Sequence, residues 1–400
     1  MATTLGEVAQ ITIGRTPPRD QARYWTKDLT RPFCTIADMK AAFIDPLKEG
    51  VTEAAEAEGK AKRVPAGSLL MSFKLTIGKV GFAKRDLFPN EAIAWLQPMR
   101  HDLSAEFLAL FLSGQDLSAG SGRAVKGNTL NGTSLRAIPV RLPPVDVQRR
   151  IVDLIGALDS QIEALDSEIG QIGRLVASWR EELLTPGVDW TSMRLGEVTT
   201  KIGSGATPRG GDSTYIDTGV SLIRSQNVHN GVFSYDGLAH IDRAAALTLD
   251  GVTVREGDVL INITGASVNR VCTVPADVLP ARVNQHVAIL RSAPDHLDTS
   301  FLEQMLMRSD IKHHLDTLAG AGTTRQALTK AQLAAIEFEL PPVLEQRRLA
   351  EVLVDGTRAV TAGHTERTLL TMARRSLLGG LVSGDIEIPE SYDSLLAEAM

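Results

Sequence analysis

Cysteine is almost missing: Cys34 and Cys272 are the only two in 400 residues and lie far apart. That excludes a disulfide framework and a cysteine-rich zinc site, and it fits a reducing cytoplasm. No uninterrupted apolar run approaches the roughly 20 residues that a membrane span needs, so no membrane association is expected. The opening, MATTLGEVAQ, has neither a charged n-region nor an apolar core, and no signal peptide is expected. There is no Asn-Pro-Pro-aromatic or Asp-Pro-Pro-aromatic motif for adenine methylation. GSG at 203–205 and GAG at 320–322 are incomplete as cofactor loops. The stretch from Gly122 to Gly127 has the wrong residues after its second glycine to cradle phosphate. No cofactor is therefore expected in this chain, and no catalytic residue.

A large excess of one charge is also missing, with 42 basic and 48 acidic residues and a net of −6. The charge is unevenly spread. Residues 1–142 carry 19 basic and 14 acidic residues, a net of +5, whereas 143–185, 186–340 and 341–400 are at −4, −4 and −3. A local positive surface can bind nucleic acid whatever the total charge, but charge alone does not point there.

What the chain has is an internal repeat. Leu5–Gly6–Glu7–Val8 recurs as Leu195–Gly196–Glu197–Val198, and Gly14–Arg15–Thr16–Pro17 as Gly205–Ala206–Thr207–Pro208. Gly67–Ser68–Leu69–Leu70 corresponds to Gly257–Asp258–Val259–Leu260, and NEAIAWL at 90–96 to NQHVAIL at 284–290. LPPVDVQRR at 142–150 returns as LPPVLEQRR at 340–348 with seven identities in nine. The offset drifts from 190 to 198 residues, as a duplication with growing loops would show. Within each copy, short β-type runs (Ser68–Phe73, Asp258–Ile263) and amphipathic stretches (Ala105–Leu112, Ser300–His314) predict a mixed α/β fold.

Each copy ends on Pro-Pro followed by a long helix, since proline is tolerated at a helix start. In the first helix Ile151, Ile155, Leu158, Ile162, Leu165, Ile169, Ile172, Val176, Trp179 and Leu183 alternate spacings of four and three, a coiled-coil seam. In the second, Leu349, Leu353, Val360, Leu370, Leu377 and Leu381 keep the register, but Gly356, Gly363, Arg367 and Arg374 interrupt it. The alternative for both is an ordinary core helix against its own domain. The expected boundaries are a first globular domain at 1–144, a central helix at 145–187, a second globular domain at 188–342, a distal helix at 343–384 and a tail at 385–400.

Chain order suggests the geometry. The second helix meets the first by running back antiparallel, which relates the two halves by a pseudo-twofold axis. Two such domains would address a linear ligand with opposite polarity, as symmetric dimers address inverted half-sites on a duplex. About 40 helical residues at roughly 1.5 Å each give a strut on the order of 60 Å, a spacer between half-sites that differ in sequence.

The order Leu-Gly-Glu-Val, Gly-x-Thr-Pro, SFKLTIGKVGF (72–82) and LPP-x-x-x-QRR, in duplicate, resembles the specificity subunits of type I restriction–modification systems over about residues 1–385. The resemblance implies two target-recognition domains, each reading one half of a gapped sequence in double-stranded DNA. It also implies partners: two adenine methyltransferase subunits around the helices, and translocase–nuclease subunits. S-adenosylmethionine, ATP and Mg would belong to those partners. One departure is Asn269 in SVNRV where TIGKV has Gly78; both residue types tolerate positive φ, so the turn is expected to survive.

Base edges are read by Arg, Lys, Asn, Gln, Ser or Thr, and phosphates by Lys, Arg or backbone amides. Near the repeated loops the candidates are Arg15, Thr16, Arg19, Lys74, Thr76, Lys79, Lys126 and Asn128 in the first half. In the second they are Ser204, Thr207, Arg209, Gln226, Asn227, Asn269, Arg270, Thr324 and Arg325. A solvated surface is the plain alternative for each, and Thr16 and Thr207 also suit turns ahead of proline. Gln148, Arg149, Arg150, Gln346, Arg347 and Arg348 open the helices; cations there oppose the helix dipole, which suggests a partner or interdomain contact. Two further patterns are weak. Asp295, Asp310 and Lys312 loosely fit a metal-dependent nuclease, but the second half reads as helix where strand-borne carboxylates are wanted. His313, His314 and Asp316 suggest a metal, yet adjacent histidines on a helix diverge. A coiled-coil adaptor that binds only proteins is the third alternative.

Overall fold

The computed structural model describes residues 3–46, 48–115, 117, 122–124, 127–208, 210–320 and 327–394, with 122–124, 127–129 and 212 by backbone alone. Packing groups the chain into two units, Met1–Ala164 with Thr368–Met400, and Leu165–Arg367. The division falls inside both long helices, Val145–Leu183 and Val343–Ser383, and not at the proline pairs. The reason is burial. Ile151, Ile155, Leu378, Leu381 and Val382 belong to the core of the first unit, and Leu184, Ala350 and Leu353 to that of the second.

In the first unit, β1 (Ala9–Ile13), β2 (Phe43–Ile44), β3 (Leu69–Ser72), β4 (Val80–Ala83) and β5 (Ile93–Pro98) form a sheet in the order β1-β5-β3-β4-β2. Every pair is antiparallel except β4 with β2. All four residues of β3 are buried. Leu69 and Met71 enter one core and Leu70 another, as the two-residue period of a strand requires. The first of these cores seats α1 (Ala105–Ser113) through Phe107, Leu108, Phe111 and Leu112. The Ser104 hydroxyl caps α1 by accepting the Phe107 amide at 2.9 Å.

The second unit repeats this plan. Its β6 (Thr199–Ser204), β7 (Val259–Asn262), β8 (Val271–Thr273) and β9 (Val287–Ser292) lie in the order β6-β9-β7-β8, matching β1-β5-β3-β4. Val259 and Ile261 face one core and Leu260 another. α2 (Thr299–Leu306) is capped by Asp298, which accepts the Phe301 amide at 3.1 Å. The amphipathic stretch 300–314 breaks after Leu306 and resumes at Ser309. At the break the Arg308 guanidinium donates to the Leu184 carbonyl and Glu181 accepts the Ser309 amide at 2.7 Å.

The long helices pair antiparallel in each unit. In the second, Gly356 faces Val176, Gly363 faces Ile169, and Arg367 reaches Asp166 at 2.5 Å, so rising numbers on one helix meet falling numbers on the other. In the first, the Arg374 guanidinium grips both oxygens of Asp159. The residues that interrupt the second seam therefore have partners. A Cβ at 356 or 363 would stand 2.5 Å from Val176 Cγ2 or 2.7 Å from Ile169 Cγ1, so glycine is what lets the helices close. Trp179 departs from the seam and is 38% exposed. No helix among the described residues is long and apolar enough to cross a membrane.

Candidate nucleic-acid interface

Strand register brings the repeated loops to one edge of each sheet. Ile13 at the end of β1 pairs with Ala94, Ser72 at the end of β3 pairs with Ile93, and Met71 pairs with Val80. The loops at 14–19, 73–79 and 90–92 consequently emerge together. In the second unit Ser204 pairs with Ala288, Asn262 with Val287 and Ile261 with Val271. Loops 205–208, 263–270 and 284–286 share the corresponding edge, and Asn262 adds loop 225–228 by donating to the Ser225 carbonyl at 2.8 Å.

Some candidates frame these loops and others face solvent. Thr16 donates its hydroxyl to Glu91, and Thr207 makes the same bond to Gln285, tying each Gly-x-Thr-Pro turn to the loop ahead of β5 or β9. Those loops are braced alike: Asn90 accepts the Ala92 amide and Asn284 the His286 amide, both at 3.0 Å. Gly78 has φ 86° and Asn269 φ 69°, so the turn survives the exchange. In both copies it closes on the strand before it: Gly78 N donates to the Ser72 carbonyl at 2.9 Å and Asn269 N to the Asn262 carbonyl at 2.8 Å.

On the solvent side of the first unit, Arg15 is exposed and donates to the Gly59 carbonyl at 2.7 Å. Arg19 stacks 3.7 Å over Trp25 and pairs with Glu49 at 2.8 Å. Lys74 stands 5.3 Å from the Phe73 ring, Thr76 is exposed, and half-buried Lys79 reaches the Ile36 carbonyl at 3.4 Å. The strand Gly127–Thr129 pairs with Lys74–Leu75, which puts the backbone of Asn128 opposite Leu75. Leu75 itself was not expected here. It has φ 64° and is 57% exposed; the signal was its alignment with Gly265, whose φ is 78°. Lys126 lies outside the described residues.

In the second unit Ser204, Thr207 and Gln226 are exposed. Arg270 is half-buried, with Nη1 3.5 Å from His229 Nδ1. Two expectations need correction. Asn227 is fully buried: it accepts the Arg224 amide at 3.0 Å and donates to the Ser234 carbonyl at 2.9 Å. Asn269 is 4% exposed and donates to the Lys312 carbonyl at 2.9 Å and to Asp316 at 3.1 Å. Both hold loops, and neither presents an edge to a ligand. Arg209, Thr324 and Arg325 lie outside the described residues.

The helix heads also differ from expectation. Gln148 is 1% exposed and Gln346 fully buried. Gln148 Oε1 accepts the Ser104 amide at 3.0 Å while Nε2 donates to the carbonyls of Asp102 and Pro143 at 2.7 and 2.9 Å. Gln346 repeats this with the Asp298 amide at 2.8 Å and the carbonyls of His296 and Pro341 at 2.9 and 2.8 Å. Each glutamine thus fastens a long helix to the capping residue of α1 or α2, and is not available to a partner. Arg149 approaches Asp393 at 3.7 Å and Arg347 approaches Asp298 at 3.6 Å. Arg150 is buried against Asp393, whereas Arg348 is exposed.

The nuclease-like triplet is otherwise engaged. Asp310 lies in the fork of Arg308 at 3.1 and 2.8 Å. Lys312 donates to Asn230 at 2.8 Å and to the Asn269 carbonyl, and burial lowers its pKa to about 8. Asp295 is exposed in the turn before α2. Among the described residues no group of three or more His, Cys, Asp and Glu is placed to hold a metal ion.

Comparison with known proteins bears on this architecture. The family model for the type I restriction modification DNA specificity domain matches residues 1–172 and again 187–368. A putative type I restriction enzyme MjaX specificity subunit of Methanocaldococcus jannaschii is 24% identical over 382 residues, covering 88% of this chain and 86% of the relative. The crystal structure of a type I restriction-modification system S subunit from M. genitalium superposes with a TM-score of 0.58 at 13% identity, over 96% of each chain. A chain from a structural study of type I R-M complex assembly and conformational transition gives 0.59 at 19%, over 96% of this chain and 98% of its own. At such identities these two likenesses speak for the fold. The double family match spans most of the sequence, and the chain belongs to the type I restriction–modification DNA-specificity family, a specificity subunit that carries the family's domain twice.

Proposed function

We propose that this specificity subunit reads a gapped sequence in double-stranded DNA, one half through the loop edge of each unit. It would hold two adenine methyltransferase subunits, joined by translocase–nuclease subunits for cleavage, and supply no catalytic group of its own. One observation carries the reading. The threonine and asparagine that brace the loop edge recur in both units, as Thr16 and Thr207 and as Asn90 and Asn284, while exposed residues differ: Arg15 aligns with Ala206 and Leu75 with Gly265. A common frame with exchanged readers suits two unlike half-sites. S-adenosylmethionine, ATP and Mg belong, on this reading, to the partners, and two buried free thiols fit a reducing cytoplasm.

Footprinting of the complex reconstituted with its methyltransferase subunits tests the proposal. Two protected patches should flank an indifferent spacer. One continuous patch, or none, rejects it. The nuclease alternative is disfavoured by the engagement of Asp310 and Lys312 within the fold; cleavage by the purified chain with magnesium, abolished by Asp310→Ala, would restore it. Absence of DNA binding in every complex would favour an adaptor that meets only proteins.

A further inference from the structure

The two helix heads are sisters in sequence but not in their surroundings. On the first long helix, Asp146, Arg150 and Leu154 stand four residues apart and share a face. The chain's own tail covers the arginine in the middle, while Asp146 stays exposed. Asp393 takes the Arg150 guanidinium by both oxygens, Nε to Oδ1 at 3.0 Å and Nη2 to Oδ2 at 2.6 Å, leaving that side chain 9% exposed. Arg150 in turn holds the Asp393 carboxyl below its ordinary range. Beside it Tyr392 is half-buried near Asp153, its phenol pKa raised chiefly by burial. Leu154 packs against the core of the unit.

On the second long helix the sister residues are Leu344, Arg348 and Val352. Leu344 is 62% and Val352 46% exposed, Arg348 is exposed between them, and no described residue bonds or pairs with its guanidinium. An apolar–cation–apolar stripe thus stands open, and its central arginine lacks the carboxylate that covers Arg150 in the first copy. Arg347 beside it is 61% exposed, and the amino end of the helix adds partial positive charge. The covered copy shows what chemistry fits: a phenol ring followed directly by a carboxylate that can meet a guanidinium with two parallel hydrogen bonds.

We propose that the Leu344–Arg348–Val352 stripe is a docking surface for an acidic segment of a partner protein, one that carries an aromatic residue followed by a carboxylate as Tyr392–Asp393 does. The inference rests on the comparison of the two helix heads and not on the reading of DNA, so its test uses none. A labelled peptide of sequence DIEIPESYDS, residues 385–394, serves as the probe, with fluorescence anisotropy on the full chain as the readout. The peptide should bind the native chain. Arg348→Glu and Arg348→Ala should each weaken it about tenfold or more, the effect of one lost charge-assisted pair. A probe with Asp393→Lys should not bind, and Arg150→Glu in the chain should leave binding unchanged. No binding to the native chain, or equal binding by the Arg348 variants, overturns the proposal. So does loss on Arg150→Glu alone, which would mean the peptide merely displaces the tail. Sedimentation showing that the peptide competes with dimerisation would also overturn it, by assigning the surface to a second copy.

Discussion

Leu75 holds φ 64° with its side chain 57% exposed, and the sister position is Gly265 at φ 78°. The left-handed region costs an L-residue about 1–2 kcal/mol, a penalty that glycine escapes and asparagine largely avoids. Little apolar burial offsets it here. Leu75→Asn should therefore raise stability by up to about 1 kcal/mol, read as a higher urea midpoint. If the loop edge meets the duplex, the same change should weaken binding by the reconstituted complex. A lower midpoint would show that the conformation carries no strain. This residue was legible only by aligning the two copies, because nothing local marks a leucine as left-handed. Gln148 and Gln346 were misread for a related reason. A glutamine ahead of two arginines in the first turn of a helix reads as a contact for a partner or another domain, and what buries it, the cap of a helix more than 40 positions upstream, leaves no local trace.

At the scale of elements, periodicity showed most of the long helices directly. Spacings of four and three gave the seam of the first, and each copy's buried strands took the two-residue alternation between two cores. The second helix looked flawed because its seam was judged without its partner. Gly356 and Gly363 make room for Val176 and Ile169, and Arg367 and Arg374 answer Asp166 and Asp159. A test follows from the Gly363–Ile169 contact. Gly363→Leu alone should cost about 1–3 kcal/mol by overpacking, and Ile169→Ala alone about 2–5 kcal/mol through the cavity it leaves. Together the new leucine fills the space of the lost isoleucine. Denaturant unfolding of the four proteins should give a favourable coupling of about 1 kcal/mol or more. Additive losses would mean that the helices do not meet at that point.

At the scale of the whole molecule, the two long helices are unbroken over 39 and 41 residues, and each contributes to both units. Seven residues inserted after Ala164 and seven after Arg367 would fall at opposed positions of the antiparallel pair, since Asp166 meets Arg367 and Asp159 meets Arg374. Each unit would keep its own cores and loop edge. The added rise is about 10.5 Å per helix, the length of roughly three base pairs at 3.4 Å per step. Twist opposes the full change: with 10–10.5 base pairs per turn, each added pair rotates the second half-site by about 34°. The preferred gap should therefore lengthen by about one to three base pairs, with weaker binding at its optimum, while the bases read on either side stay the same. Selection from a library of half-sites with graded spacers, run on the reconstituted complex, measures both quantities in one experiment. If the gap held constant while the half-site bases changed, the helices would not set the spacing, and the loop edges would have to be responding to the insertion themselves.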